Sequence, residues 1–168
     1  MNYTFRKATL SDLDSIWEIL EGGIRRRREE GSNQWQDGYP NPEVIKSDIQ
    51  NDAGYVLTHS DLVIGYVSVK INDEPAYADI QGTWLSQGDF VVAHRIAIAT
   101  QHIGKGLSKK ILNFVEEFAT ANAINSVKVD TNHDNIAMLN IFERTGYQYC
   151  GEVYFRGSPR LAFEKIIT

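Results

Sequence analysis

The residues best suited to chemistry in this sequence follow a strand-like run that ends near Ala99. Gly104-Lys105-Gly106 comes next, and a helical pattern begins directly after it, at Leu107. Two glycines let a ligand approach the backbone closely, and the first-turn amides of a helix have no partners within the helix. The helix dipole and the charges of Lys105 and Lys109 add positive potential. This junction therefore predicts a phosphate-binding loop.

Two other phosphate-binding patterns compete with this interpretation. A Walker loop is excluded, because Gly106 follows Lys105 where that loop requires Ser or Thr. A dinucleotide fingerprint fits in part, since Gly104 and Gly106 follow a strand and Asp130 ends the next strand. Its third glycine, however, would fall at Lys109. A dinucleotide-binding protein is therefore the less favoured alternative.

A titratable side chain lies earlier on the same strand-like run. An unperturbed histidine titrates near pH ~6.5, so His94 is a candidate for accepting a proton at neutral pH. The alternative interpretation is a strand histidine that is packed and hydrogen-bonded within the sheet. His59, His102 and His133 with Cys150 show no metal-ligand spacing, so no metal site is expected.

The composition limits the class of protein. The chain has 168 residues, 42% hydrophobic and 23% charged, which is typical of one globular domain over residues 1–168. A net charge of −5 argues against a nucleic-acid partner. No run is long enough for a membrane span or a signal peptide, and Cys150 alone forms no internal disulfide. We expect a cytoplasmic protein without a membrane partner, whose four arginines at 25–28 form a solvated helix face.

The hydrophobic periods predict the elements that must position these residues. Alternation indicates strands at 3–6, 55–58, 62–69, 90–99, 127–129, 147–154 and 161–167. Helical spacing indicates helices at 13–30, 43–50, 107–118 and from Asn135 to a left-handed cap at Gly146. An antiparallel hairpin precedes the alternating strands and helices. The predicted fold is therefore α+β, with a central twisted mixed sheet of six to seven strands flanked by about four helices.

The strand, the glycine loop and the helix after it resemble the acetyl-CoA site of the GNAT superfamily of N-acetyltransferases, which consists of a strand, a Q/R-x-x-G-x-G/A loop and a helix. Arg6-Lys7-Ala8-Thr9 with Asp12 and Leu13 is similar to the family's opening. The segment 135–147 is similar to its second signature, a helix that starts at Asn and ends in Glu-Arg-x-Gly-aromatic. The resemblance covers nearly the whole chain.

Two further segments resemble a subgroup of small bacterial GNAT proteins. One is Gln34-Trp35 with Gly38-Tyr39-Pro40, and the other is the ending Gly157-x-x-Arg160-x-Ala162-Phe163-Glu164. Neither segment indicates which molecule such a protein would acetylate.

The resemblance implies an acetyl-CoA-dependent N-acetyltransferase. In such enzymes an amine of a small molecule or peptide attacks the thioester directly in a ternary complex. The resemblance also implies which residues bind acetyl-CoA: the backbone of Ile96, Ala97 and Ile98, the loop and first helical turn Ile103, Gly104, Lys105, Gly106, Leu107, Ser108 and Lys109, and also Asn135 and Phe142.

The resemblance also suggests catalytic roles. A histidine near the place of His94 serves as the base in some relatives, and Tyr39 and Tyr149 are candidates for protonating the departing thiolate. A second copy of the chain is a further candidate partner.

Two residues depart from the family pattern. The helix period places Ile103 at the Gln/Arg position of the loop, with Ser108 at its final Gly/Ala position, although a literal Q-x-x-G-x-G begins at Gln101. Phe142 occupies a position where many relatives carry a tyrosine that protonates the thiolate. These departures favour the alternative of a CoA-binding module or sensor that has lost catalysis.

Overall fold

The computed structural model describes residues 2–168, which contain eight β-strands and four α-helices. The strands are β1 (Tyr3–Lys7), β2 (Gly54–His59), β3 (Leu62–Ile71), β4 (Gln81–Gly82), β5 (Val91–Ile98), β6 (Ser126–Thr131), β7 (Gln148–Phe155) and β8 (Ser158–Ile166). The helices are α1 (Leu13–Glu29), α2 (Pro42–Gln50), α3 (Leu107–Ala121) and α4 (Ile136–Arg144). The predicted α+β class, mixed sheet and four helices are confirmed.

The eight strands exceed the predicted six to seven because β4 forms in a stretch without hydrophobic alternation. It is two residues long and pairs antiparallel with Glu152 and Gly151 of β7. A Cβ on Gly82 would collide with the backbone carbonyl of Cys150. Glycine is therefore required where these two strands approach each other.

The chain forms two compact units, and β5 contributes to both. The first unit contains the residues up to Val69 and Arg95–Ile111. Its strands run in the order β1-β2-β3 and then the second half of β5. The β2–β3 hairpin turns through Ser60 and Asp61, both with positive φ, as a tight two-residue turn requires. Its core is built from side chains of α1, α2 and the strands, among them Ile16, Leu20, Ile45, Val56 and Tyr66.

The second unit contains Lys70–His94 and Leu112–Thr168. Its strands run in the order β5-β6-β8-β7-β4, where the first half of β5 is parallel to β6 and the other pairs are antiparallel. The parallel pairing covers only Val91 with Val127 and Val92 with Lys128. The pairing of β5 with β6 therefore ends two residues before His94.

Both ends of α4 form as the sequence predicts. The Asn135 side chain accepts a hydrogen bond from the amide of Met138 at 3.3 Å, which caps the first turn. Gly146 has a φ of 90° after the last turn, and the amide of Tyr147 bonds back to the Phe142 carbonyl at 2.9 Å. Local sequence thus fixes the start and the end of this helix.

The expectation of a solvated arginine face on α1 is wrong for two of the four arginines. Arg27 is 8% exposed; it donates to Oε1 of Gln34 at 3.0 Å and forms an ion pair with Glu30. Arg26 donates to Oγ1 of Thr100 at 2.9 Å. The helix turns these two side chains inward, where they fasten α1 to its neighbours. No helix within residues 2–168 is both long and apolar enough to cross a membrane.

Candidate functional site

The predicted phosphate-binding loop lies between a short 3-10 helix (Thr100–His102) and the start of α3. Gly104 and Gly106 have φ values of 84° and 73°, a left-handed conformation that side chains rarely adopt. A Cβ on either glycine would meet no atom within 4 Å, so the space above both is open. The Lys110 amide bonds to the Gly106 carbonyl at 3.3 Å, which leaves the amides at 107–109 as the unpaired first turn.

The surroundings of this loop fit a diphosphate. Lys105 and Lys109 are both exposed, and the positive end of the α3 dipole faces the same segment. Ile103 is 48% exposed and offers no polar atom, so any binding of phosphate at this position depends on backbone amides. The loop therefore has the geometry of an anion-binding site without the polar side chain that the family pattern expects.

The middle of β5 contains a residue in an unusual backbone conformation. Arg95 has a φ of 57°, which costs a non-glycine residue of order 1 to 3 kcal/mol and is stable only if the surroundings fix it. Its guanidinium donates to both oxygens of Asp48, at 2.9 and 2.5 Å, and to the hydroxyl of Tyr39. Asp48 also accepts from the hydroxyl of Tyr66 at 2.6 Å. These contacts hold the strand just before Ile96, the first predicted thioester-binding position.

Electrostatics keep this cluster charged. Burial acts to lower the pKa of Arg95, but Tyr39 and Asp48 outweigh it, and the net shift is upward. Burial and the charge of Asp48 both raise the pKa of Tyr66, which therefore stays a neutral donor. Tyr39, one of the two candidates for protonating the thiolate, receives a hydrogen bond from Arg95 and lies with its ring 5.9 Å from that guanidinium.

His94, the candidate base, lies between two carboxylates of the second unit. Its Nε2 is 2.6 Å from Oε2 of Glu74, and its Nδ1 is 3.7 Å from Oδ2 of Asp130. The hydroxyl of Tyr77 donates to the same Asp130 oxygen at 2.6 Å. The His94 side chain is 15% exposed and the two carboxylate side chains are 14% and 9% exposed. The result is a continuous polar chain from Glu74 to Tyr77.

The two carboxyl groups of this chain differ in acidity. Burial tends to raise the pKa of Glu74, but the hydrogen bond and charge of His94 outweigh it, so this pKa lies below its usual range. Burial raises the pKa of Asp130 and outweighs the opposing effects of His94 and Tyr77. Titratable neighbours with pKa values pushed apart are typical of acid–base sites. Glu74 is therefore the ionised partner of the imidazole at neutral pH.

Sequence analysis predicted His94 but not its partners. Glu74 and Tyr77 lie in a polar stretch without periodicity, 20 and 17 residues before His94, so no spacing rule connects them to it. Asp130 was considered only as a ribose-binding acid of the dinucleotide alternative. Its carboxylate is buried against Tyr77 instead.

Asn135 and Phe142 have structural roles in the second unit. Asn135 caps α4, as described above. Phe142 is 1% exposed, and its ring lies 5.7 Å from that of Tyr147 and 5.2 Å from that of Phe163. The structure places this ring in the core, so the predicted contact with a cofactor would require the core to open. All other predicted cofactor-binding residues belong to the first unit.

Within residues 2–168, no group of three or more His, Cys, Asp and Glu side chains is arranged to hold a metal ion. Cys150 is a buried free cysteine, and burial raises the pKa of its thiol.

Comparisons with known proteins agree with this fold. The model of the Acetyltransferase (GNAT) family matches residues 18–147. A GNAT-family acetyltransferase from Streptococcus agalactiae 2603 is 33% identical in its crystal structure, with a TM-score of 0.89; the match covers 99% of this chain and 96% of that one. The uncharacterized N-acetyltransferase YesJ of Bacillus subtilis (strain 168) is 25% identical over 166 residues, covering 96% of this chain and 88% of YesJ.

A more distant structure has the same fold with its cofactor present. The yncA acetyltransferase structure from Salmonella typhimurium contains acetyl-CoA and matches with a TM-score of 0.71 at 16% identity, covering 100% of this chain and 95% of that one. The family model spans most of the chain, and the Streptococcus relative matches nearly all of it. On these grounds the chain belongs to the GNAT family of acetyltransferases.

Proposed function

We propose that the protein is an acetyl-CoA-dependent N-acetyltransferase, which transfers an acetyl group to an amine of a small molecule or peptide by direct attack in a ternary complex. One observation carries the proposal: Gly104 and Gly106 are left-handed, open on their Cβ sides and placed directly before α3. Family membership makes acetyl-CoA the expected ligand of such a loop. The acetyl-CoA in the yncA structure supports the same assignment.

Acetyl-CoA, when bound, supplies the acetyl thioester. The amides of Gly104 to Lys109 would bind its pyrophosphate, and the two exposed lysines would add charge. Backbone groups of Ile96, Ala97 and Ile98 would bind the pantetheine arm and polarise the thioester carbonyl. The buried ion pair of Arg95 with Asp48 would keep these backbone groups in place.

His94 would accept the proton that the attacking amine loses. Oε2 of Glu74 lies 2.6 Å from Nε2, so the ionised carboxylate and the imidazole together form one proton-accepting pair. The carboxylate of Glu74 then stabilises the imidazolium that forms. Tyr39 remains the proposed acid for the thiolate, and its hydrogen bond from Arg95 would stabilise the phenolate left after proton transfer.

A second candidate function is a CoA-binding module or sensor that has lost catalysis. The observation that favours it is Phe142, which has no hydroxyl group and is buried in the core. Release of free thiol from acetyl-CoA in the presence of amines separates the two candidates. We expect turnover with at least one amine among polyamines, arylalkylamines, amino acids and peptides. Binding of acetyl-CoA without turnover on any of them would favour the module.

Calorimetric titration with acetyl-CoA tests the binding site itself. Gly104→Glu and Gly106→Glu should each weaken binding more than tenfold, because a left-handed glutamate would introduce a bulky negative charge into the anion site. Gly31→Glu is the matched control, since Gly31 is also left-handed, with a φ of 80° and no atom within 4 Å of its Cβ. Equal affinity in all three variants would remove the loop from the proposal. Thermal transitions confirm that the variants are folded.

A further inference from the structure

Strand β6 carries buried polar side chains at every second position. Ser126, Lys128 and Asp130 alternate with Val127 and Val129, and successive residues of a strand face opposite sides of the sheet. Lys128 is 4% exposed and Ser126 is 2% exposed. Purely structural strands that are buried on both faces are usually apolar on both. The polar side chains on this face of β6 therefore indicate a role beyond packing.

A cavity of about 520 Å³ opens against this face within the second unit. Lys128 lines it together with residues of the segment 72–90. Tyr77, Trp84 and Phe90 form aromatic walls, and the indole of Trp84 donates to the Tyr77 carbonyl at 2.9 Å. Glu74 also lines the cavity, so the cavity reaches the partner of His94. Its volume lies within the usual range of small-molecule sites.

A buried carboxylate holds one wall of this cavity. Glu164 of β8 lies opposite Lys128 in the sheet register and is fully buried. It accepts hydrogen bonds from the amides of Leu85 and Ser86 at 2.8 and 3.3 Å, from the hydroxyl of Ser86, and from that of Ser126 at 2.7 Å. These four donors occupy both carboxylate oxygens. Glu164 is thus committed to the loop and does not ion-pair with Lys128.

The ammonium of Lys128 has no hydrogen-bond acceptor and no ion-pair partner within residues 2–168. Its Nζ lies 4.2 Å from the centroid of the Trp84 ring and 4.1 Å from that of the Phe90 ring. Ring faces attract a cation but replace none of its three hydrogen bonds. Burial lowers the pKa of Lys128, although Glu164 and Cys150 act in the opposite direction. Glu164 therefore offsets part of the charge of Lys128 without accepting any of its hydrogen bonds.

The two acidic residues that line the cavity already have cationic partners. Glu74 contacts His94 at 2.6 Å, and Asp73 forms an ion pair with Lys70 at 3.7 Å. Lys128 is consequently the cation on this wall that a ligand would have to satisfy. An ammonium that has no hydrogen-bond acceptor from the described residues and lies at a cavity beside flat aromatic rings fits a carboxylate attached to an apolar or planar group.

We propose that this cavity is the acceptor pocket and that Lys128 makes it select amines that also carry a carboxylate, such as amino acids or a peptide's terminal residue. The inference rests on the proposed transferase function. The carboxylate would accept from the Lys128 ammonium, and the rings of Trp84 and Phe90 would flank the ligand's apolar part. The amine would lie toward Glu74, which contacts the candidate base His94.

Binding of small probes tests the pocket without any chemistry. Benzoate and benzamide have the same ring and differ in charge, and the indole N–H resonance of Trp84 reports their binding by NMR. We expect benzoate to bind at least tenfold more tightly than benzamide. Lys128→Met keeps the apolar stem but removes the charge, and it should abolish this difference. Lys46→Met is the control with the same change in net charge, because Lys46 is exposed and does not line the cavity, and it should alter benzoate affinity less than twofold.

Equal binding of benzoate and benzamide to the wild-type protein would overturn the inference, as would undiminished benzoate binding to Lys128→Met. If Lys128→Met does not fold, the comparison of benzoate with benzamide on the wild-type protein still tests whether the cavity prefers a carboxylate.

Paired acceptors test the substrate class. Phenylalanine and phenethylamine, and likewise tyrosine and tyramine, differ only in the carboxylate. We expect kcat/KM to favour the amino acid at least tenfold in the wild-type protein and to lose that preference in Lys128→Met. Equal use of the two members, or preference for the decarboxylated amine, would overturn the inference but leave the transferase proposal standing. Failure to bind acetyl-CoA would overturn the transferase proposal, and the benzoate comparison would still decide whether Lys128 binds an anion.

Discussion

Replacing Asp48 with alanine tests the buried cluster that fixes the unusual backbone at Arg95. Asp48 is 2% exposed and accepts from Arg95 at 2.9 and 2.5 Å and from the Tyr66 hydroxyl at 2.6 Å. The variant leaves a guanidinium that is 7% exposed without its carboxylate. Removing one partner of a buried ion pair costs about 3 to 5 kcal/mol, and we expect a loss of that size in the free energy of unfolding.

Urea unfolding at pH 7 measures this loss, and a thermal scan should show the transition about 6 to 20 °C lower. Tyr66→Phe is the control for the hydroxyl alone and should cost about 1.5 to 3 kcal/mol, because the lost hydrogen bond goes to a charged carboxylate. The double variant Asp48→Ala with Arg95→Met removes the uncompensated charge, so it should regain about 2 kcal/mol or more relative to Asp48→Ala. A double variant as unstable as Asp48→Ala would refute the reasoning, because packing rather than unpaired charge would then set the cost.

Three further predictions concern the site. Ile103→Arg should tighten CoA binding in calorimetry, since it supplies the charged side chain that the family pattern places there; weaker binding would mean that the loop alignment is wrong. His94→Ala should lower turnover by ~10² to 10⁴ and remove the acidic limb of the pH–rate profile, with acetyl-CoA affinity unchanged, whereas the exposed His133→Ala should behave as wild type. Glu74→Gln should lower stability at neutral pH, because the lowered pKa of Glu74 stabilises the folded state above the pKa that this carboxyl has in the unfolded chain. The urea midpoints of variant and wild type should therefore converge as the pH falls through the pKa of Glu74 in the folded state. A gap that stays constant with pH would contradict this assignment.

Features that depend on neighbouring residues could be predicted from the sequence. The cap at Asn135, the left-handed cap at Gly146 and the turn at Ser60 and Asp61 each depend on a few consecutive residues. Local conformational preferences suffice to determine such features. For the same reason the glycine loop between a strand end and a helix start, where we propose that phosphate binds, could be located from the sequence.

Features that depend on long-range contacts could not be predicted. Glu74, His94 and Asp130 come from three separate segments, and only the folded second unit brings their side chains within hydrogen-bonding or ion-pairing distance. The Asp48–Arg95 ion pair likewise joins residues 47 positions apart. A signal for the acceptor pocket was present in the alternation of Ser126, Lys128 and Asp130, but identifying it requires knowing that both faces of β6 are buried.

The way in which Glu164 holds the cavity wall allows the specificity for the acceptor to change without a change in the path of the loop. Two of its hydrogen bonds come from backbone amides, at Leu85 and Ser86, and every residue except proline can supply such an amide. The side chains of Trp84 and Phe90 can therefore be exchanged while the path of the loop is retained. A randomised library at these two positions should yield folded proteins with altered acceptor profiles, which makes this loop the natural starting point for redesigning the enzyme.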